Sequence, residues 1–190
     1  MPRFNDLLAL VFLDEGVGLP GNPTGYANIP GDGGGETNWG ISQRAWDMIR
    51  VRPKYAKYPR WTRDITRQQA EWIYNAEYYV PVHGDYVPVG VAYVLFDAAV
   101  NQGQRTAVQI LQRAINVNDD GQWGPKTNAA LTLAQLDLPV LIEELCWQRL
   151  MQYAKSSRLK GEKSRFPWFT VQVWVPRLSR VRREALRMGV

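Results

Sequence analysis

Phe4, Leu7, Leu8, Val11 and Phe12 recur at i, i+3, i+4, i+7 and i+8, so residues 3–15 predict a helix with one face to bury. The pattern stops where composition changes. Residues 16–40 are crowded with glycine and proline, which predicts a loop or a small irregular sheet. Helical periodicity then returns. Ser42–Arg50 reads as helix, and Thr66 with Gln69 forms a capping-box pattern opening a helix that Pro81 ends. Residues 89–101 are apolar and helical, and Ala107, Ile110, Leu111, Ala114 and Ile115 mark another amphipathic helix. A turn over Asn118–Gly121 precedes a short helix after Pro125, residues 139–158 form a long helix, and Pro176 starts the last. The expected fold class is mainly α: one helical globule with a small β patch near residues 21–40, no repeat and no long linker.

Composition removes whole classes of chemistry. With 190 residues, 45% of them hydrophobic, the chain has enough apolar surface for a core and is not expected to be disordered. The early apolar run Leu7–Leu13 lies between Asp6 and Asp14, too short for a membrane span and wrongly flanked for a secretion signal. A cytoplasmic start is therefore expected. One cysteine and one histidine exclude an internal disulfide and the three or four His/Cys ligands of a zinc site. Cys146 sits in a helical stretch, Leu141–Trp147, and reads as a buried, inert thiol. Residues 31–36 break the dinucleotide fingerprint at Glu36, and Pro125 separates Gly124 from Lys126, which excludes a phosphate-binding loop. Asn116, Asn118, Asp120 and Gly121 mimic half of a calcium loop, but Thr127 stands where a bidentate Glu is needed. No metal and no cofactor are expected, and hydrolytic chemistry would fall to carboxylates.

Charge is uneven. Residues 155–190 hold ten Lys/Arg against Glu162 and Glu184, a net +8, while the other 154 residues hold 13 basic and 16 acidic groups, a net −3. Leu178, Val181, Ala185 and Met188 follow helical spacing among the tail arginines. Two readings stand: contact with an anionic envelope surface, or a docked terminal helix with a solvated basic face.

The first helix also carries the candidate chemistry. At about 100° per residue, Glu15 falls on the apolar face, with Asp14 to its side. A carboxylate at the end of an apolar stripe and at a helix C-terminus is disfavoured when charged, which suits a general acid. Gly16 then opens a glycine-rich segment that carries Asp32, Glu36 and Thr37, a second carboxylate pair with a hydroxyl. The alternative is a salt-bridged helix-end glutamate followed by ordinary turns.

Glu15-Gly16 followed by Asp32-x-Gly34-Gly35-x-Thr37-x-x-Gly40-Ile41 resembles the N-terminal signature of glycoside hydrolase family 108 lysozymes, N-acetylmuramidases found mainly in phage lysins. Val17 departs from that signature, which has a second glycine after the glutamate. Tyr74-x-x-x-Tyr78-Tyr79 and Phe96-Asp97-x-Ala99-Val100-Asn101-x-Gly103 resemble further family stretches. Leu111–Ala114 and Asp120–Thr127 resemble the adjoining peptidoglycan-binding region. The matches span most of residues 4–150.

The resemblance implies a lysozyme-like fold and hydrolysis of the β-1,4 bond between N-acetylmuramic acid and N-acetylglucosamine. It implies Glu15 as the acid, with Asp32 stabilising charge or orienting water and Thr37 positioning the water; Glu36 rivals Asp32. Asn38, Trp39 and Ile41 would line the glycan groove with Glu36 and Asn101, while Phe96–Asn101 reads foremost as a structural polar network. A catalytic region is expected over 1–87 and a helical peptidoglycan-binding-like region over 88–190, packed as one globule. The expected partner is the peptidoglycan strand, with the basic residues 155–190 meeting an anionic envelope surface; no nucleic acid is expected, and the chain is read as a monomer. An endolysin would wait in the host cytoplasm and then act on the periplasmic wall. The rivals are a lytic transglycosylase, a non-catalytic wall-binding protein and, resting on the tail alone, a nucleic-acid binder.

Overall fold

A computed structural model describes residues 2–28, 34–159 and 174–188 of the chain. Its contacts divide into two compact units, Met1–Ala76 and Glu77–Val190. Both are built mainly from α-helices, as the periodicity predicts.

The first unit begins with α1 (Pro2–Asp14), whose stripe Phe4, Leu7, Leu8, Val11 and Phe12 is buried as a face. Two strands, β1 (Thr37–Asn38) and β2 (Ile41–Ser42), form an antiparallel hairpin in which Thr37 pairs with Ser42 and Asn38 with Ile41. Ala27 bridges to Thr37 on the other side, so the β patch is smaller than the 21–40 span suggested. Ser42 then caps α2 (Gln43–Ile49) by accepting from the Ala45 amide at 3.3 Å. Two short 3₁₀ turns, Pro53–Tyr55 and Thr62–Asp64, lead to α3 (Arg67–Tyr74). The Thr66–Gln69 capping box is formed in both directions, as expected from the sequence. Beyond α3 the helix widens into a π turn, Asn75–Tyr79, and tightens into a 3₁₀ turn, Val80–Val82. His83 then takes a left-handed φ of 54°. Pro81 sits inside that last turn, and the helical path ends one residue beyond it.

The second unit packs α4 (Val89–Gln102), α5 (Gln104–Ala114), α6 (Pro125–Ala134), α7 (Leu138–Leu159) and α8 (Val175–Met188). Helix α4 is its centre, buried from Gly90 to Ala99. At Gly90 a methyl group would come within 2.3 Å of the Ala185 carbonyl oxygen, so the absence of a side chain lets α8 lie directly on α4. Helix α7 turns Leu141, Ile142, Leu145, Arg149 and Tyr153 inward, and α8 turns in Leu178, Val181 and Ala185. Cys146 is buried on α7, and burial pushes its thiol up to about 11, which keeps it protonated and unreactive at neutral pH.

A cluster of charged groups lies within this core. Asp97 is fully buried and accepts from Arg149 Nη2 at 2.6 Å and from Arg177 Nη2 at 2.7 Å. Arg149 is itself fully buried, and Gln102 Oε1 accepts from its Nε at 3.4 Å. Burial opposes ionisation of Asp97, but the two guanidiniums outweigh it and hold the carboxyl below the usual carboxylate range. The Phe96–Asn101 stretch is thus a structural polar network. In the described part of the tail, Arg177 belongs to the core, while Arg182 pairs with Glu143 and Arg187 with Glu184. Residues 160–173 of the tail lie outside the described residues.

Asp97→Asn should therefore cost about 3–5 kcal/mol of unfolding free energy at neutral pH, because it leaves two buried guanidiniums undercompensated. The folded carboxyl titrates below its unfolded value, so its contribution is complete above the ordinary carboxylate range and is lost as pH falls through the folded value. Urea denaturation across acid pH should show the gap between wild type and variant closing; a constant gap would contradict the assignment.

Candidate active site

The last turn of α1 sets the position of Glu15. The Gly16 amide donates to Leu13 O at 3.2 Å and the Val17 amide to Phe12 O at 2.9 Å, with Gly16 at φ 73°. This pair of bonds is the Schellman termination, and it makes Glu15 the C-cap residue. Val17, where the family signature carries a second glycine, buries its side chain and completes the hydrophobic part of that motif. Glu15 itself is half-buried at the helix end.

Opposite it stands the turn of the β1–β2 hairpin. Trp39 and Gly40 take φ values of 53° and 72°, the pattern of a two-residue turn with both central residues left-handed. For a tryptophan this is strained backbone, and three hydrogen bonds hold it. The Trp39 amide donates to Thr24 O at 2.7 Å, its indole Nε1 donates to Ile65 O at 2.9 Å, and its carbonyl accepts from the Tyr74 hydroxyl at 3.1 Å. A methyl on Gly40 would stand 2.6 Å from the Tyr74 hydroxyl and 3.0 Å from Glu15 Cβ. Glu15, Gly40 and Tyr74 therefore meet at one point. Phe12, one helical turn before the site, packs edge-to-face on Tyr74 at 5.2 Å and lies 6.2 Å from the Trp39 ring.

The other anticipated residues take distinct places. Thr37 pairs through its backbone with Ala27, donating at 2.7 Å and accepting at 2.9 Å, and begins the hairpin that reaches Glu15. Glu36 is only 7% exposed; Arg63 lies 3.3 Å from one carboxylate oxygen and Tyr26 donates to the other at 3.3 Å. Asn38 is 4% exposed and gives its amide nitrogen to Thr62 O at 3.0 Å and Ile65 O at 3.3 Å. Ile41 is equally buried. Glu36, Asn38 and Ile41, anticipated as groove residues, thus face inward and brace the hairpin. Asp32 lies outside the described residues. Asn101 belongs to the second unit, exposed, with its side chain donating to Asp97 O at 2.8 Å.

Tyr74 and Arg63 are the contributors that sequence reasoning missed. Tyr74 stood out only as the start of the Tyr74-x-x-x-Tyr78-Tyr79 stretch, and its place in the third helix beside Ala70 and Ile73 gave no site role. The peptidoglycan-binding-like turn has a local explanation. Buried Gln112 donates to Asp120 Oδ1 at 2.8 Å and to Gln122 O at 2.9 Å, and accepts from the Gly121 amide at 2.8 Å.

Helices with a small hairpin set against the end of α1 form a mainly α, lysozyme-like fold. A sequence model of the family described as Glycosyl hydrolase 108 matches residues 9–103, and the chain belongs to that family. A solved structure, that of SagA from Brucella abortus, is 34% identical over 98% of this chain and 95% of that one, with a TM-score of 0.71. No curated protein matches the sequence. The chain is thus a glycoside hydrolase of the peptidoglycan-degrading kind.

Gly40→Ala should remove activity more than tenfold, because the added methyl meets both Tyr74 and Glu15 at a left-handed position. Gly103→Ala is the control: its φ of 89° is equally unsuited to alanine, but no atom stands within 4 Å. Turnover of purified sacculi should fall for the first variant and persist in the folded fraction of the second.

Proposed function

We propose that this chain is a muramidase that hydrolyses the β-1,4 bond between N-acetylmuramic acid and N-acetylglucosamine, and that it serves as an endolysin. The observation that carries the reading is Glu15 at the α1 C-cap, held against Gly40 of the hairpin. Glu15 donates its proton to the glycosidic oxygen as the C1–O bond breaks. Water adds its hydroxyl to C1, and its remaining proton restores the acid. Asp32 supports the developing positive charge or the attacking water, and Thr37 orients that water. Glu36 is the weaker rival for the second carboxylate, because Arg63 and Tyr26 already engage it. As an endolysin the enzyme accumulates in the host cytoplasm and acts on the wall once it reaches the periplasm. No helix among the described residues is long and apolar enough to cross a membrane.

The test is mass spectrometry of soluble fragments released from purified sacculi by wild type and by Glu15→Gln. New reducing N-acetylmuramic acid ends that vanish in the variant are the expected result. Anhydro-muramic ends would replace hydrolysis by transglycosylation, and no fragments from folded wild type would leave a wall-binding protein.

A further inference from the structure

Helix α3 brings a hydroxyl to the end of α1. Tyr74 is the last residue of that helix and is 1% exposed, and Phe12 holds its ring edge-to-face at 5.2 Å. A phenol carries one proton, and here Trp39 O accepts it at 3.1 Å. Toward its other neighbours the oxygen offers lone pairs. A methyl built on Gly40 would stand 2.6 Å from that oxygen and 3.1 Å from Glu15 Cγ, so the oxygen and Cγ lie at most 5.7 Å apart, the two distances added. The carboxyl oxygens of a glutamate extend about 2.4 Å beyond Cγ, so a carboxyl turned toward the phenol reaches it.

A lone pair facing a carboxyl discriminates between its two forms. The protonated acid donates to it, whereas the carboxylate meets it oxygen against oxygen, and a buried phenol is little screened by water. The bond to Trp39 O fixes the sign. A phenol free to turn would aim its proton at the carboxylate and favour the charged form instead. The left-handed backbone of Trp39, φ 53°, is what presents that carbonyl to Tyr74. Other titratable groups stand on the same elements. Helix α1 carries Arg3, Asp6 and Asp14; α3 carries Arg67 and Glu71, which pair at 2.9 Å; and Glu36, just before β1, meets Arg63 and Tyr26. Asp14 and the C-terminal end of α1 both disfavour a charged Glu15, so Tyr74 adds to a bias of the same sign.

We propose that Tyr74 is a positioning residue that keeps Glu15 protonated, by facing it with a hydroxyl whose own proton is committed to the Trp39 carbonyl. The proposal rests on the muramidase reading for the use of the Glu15 proton, but not for how that proton is held. A general acid has to carry its proton at the pH at which the enzyme works, and an ordinary glutamate is ionised there. The hairpin turn thereby has two tasks at adjacent positions. Gly40 leaves room for Glu15 and Tyr74 to approach, and Trp39 decides which side of the phenol the acid meets.

The test is an NMR titration of the Glu15 carboxyl in the full chain, isotope-labelled at glutamate and assigned by the signal missing in Glu15→Gln. It is run beside the pH profile of fragment release from purified sacculi. In Tyr74→Phe the Glu15 midpoint should fall by about half a pH unit or more, and the basic limb of the profile should move down with it. KM should change by less than about twofold. Tyr74 replaced by a ring-fluorinated tyrosine keeps its shape and its bond to Trp39 but is a weaker acceptor, and it should shift both readouts the same way by less. That variant decides the matter if Tyr74→Phe does not fold. A midpoint that stays or rises overturns the proposal. So does a rate lowered by one factor at every pH, which marks a merely structural residue. If wild type releases no fragments, the muramidase reading fails, while the titration still reports whether Tyr74 holds the Glu15 proton.

Discussion

The way α1 ends governs the candidate site. A helix can stop in many ways, but here the left-handed Gly16 and buried Val17 reverse the chain within two residues of Glu15. That termination leaves the acid at the helix end rather than along its side. The hairpin then has to reach it with no intervening side chain, which is why position 40 carries a glycine. The strain at Trp39 persists because three elements hold it at once: the loop through Thr24, the 3₁₀ turn through Ile65 and the third helix through Tyr74. Residues distant in sequence thereby decide where the Glu15 carboxyl stands.

The second unit follows a different physical logic. Its helices enclose a carboxylate flanked by two guanidiniums, and such an arrangement adds little net stability compared with an apolar core of the same volume. Its effect is on geometry. Arg149 comes from α7 and Arg177 from α8, so Asp97 on α4 fixes the register of three helices together. The close approach of α8 to Gly90 adds a steric requirement to the electrostatic one. A terminal helix that looks from its composition like a basic appendage is therefore part of the core.

Charge shows most plainly how counting along a chain differs from counting on a surface. By sequence the tail carries the excess of positive charge, +8 over residues 155–190. In the fold, two of its arginines face carboxylates drawn from distant positions, Asp97 and Glu143. The region between the second and third helices contains fewer basic residues than the tail. It has only one acid of its own, and Lys54, Arg60 and Arg63 lie over aromatic rings.

Local sequence alone determined the helices, the capping box at Thr66, the inert cysteine and the singling out of Glu15, because periodicity, caps and burial of an apolar stripe are short-range properties. The signature around Glu15 and Thr37 identified the family for the same reason: its residues lie within one contiguous stretch. Tertiary structure decided which polar residues are consumed internally. Glu36 and Asn38 look like ligand-binding residues in a list of side chains, but their hydrogen-bond partners lie 10 to 27 positions away. Desolvation forces buried polar groups to find such partners, and no local pattern announces which ones will be found. For that reason Glu15 could be singled out in the sequence, while the brace around it could be read only from the fold.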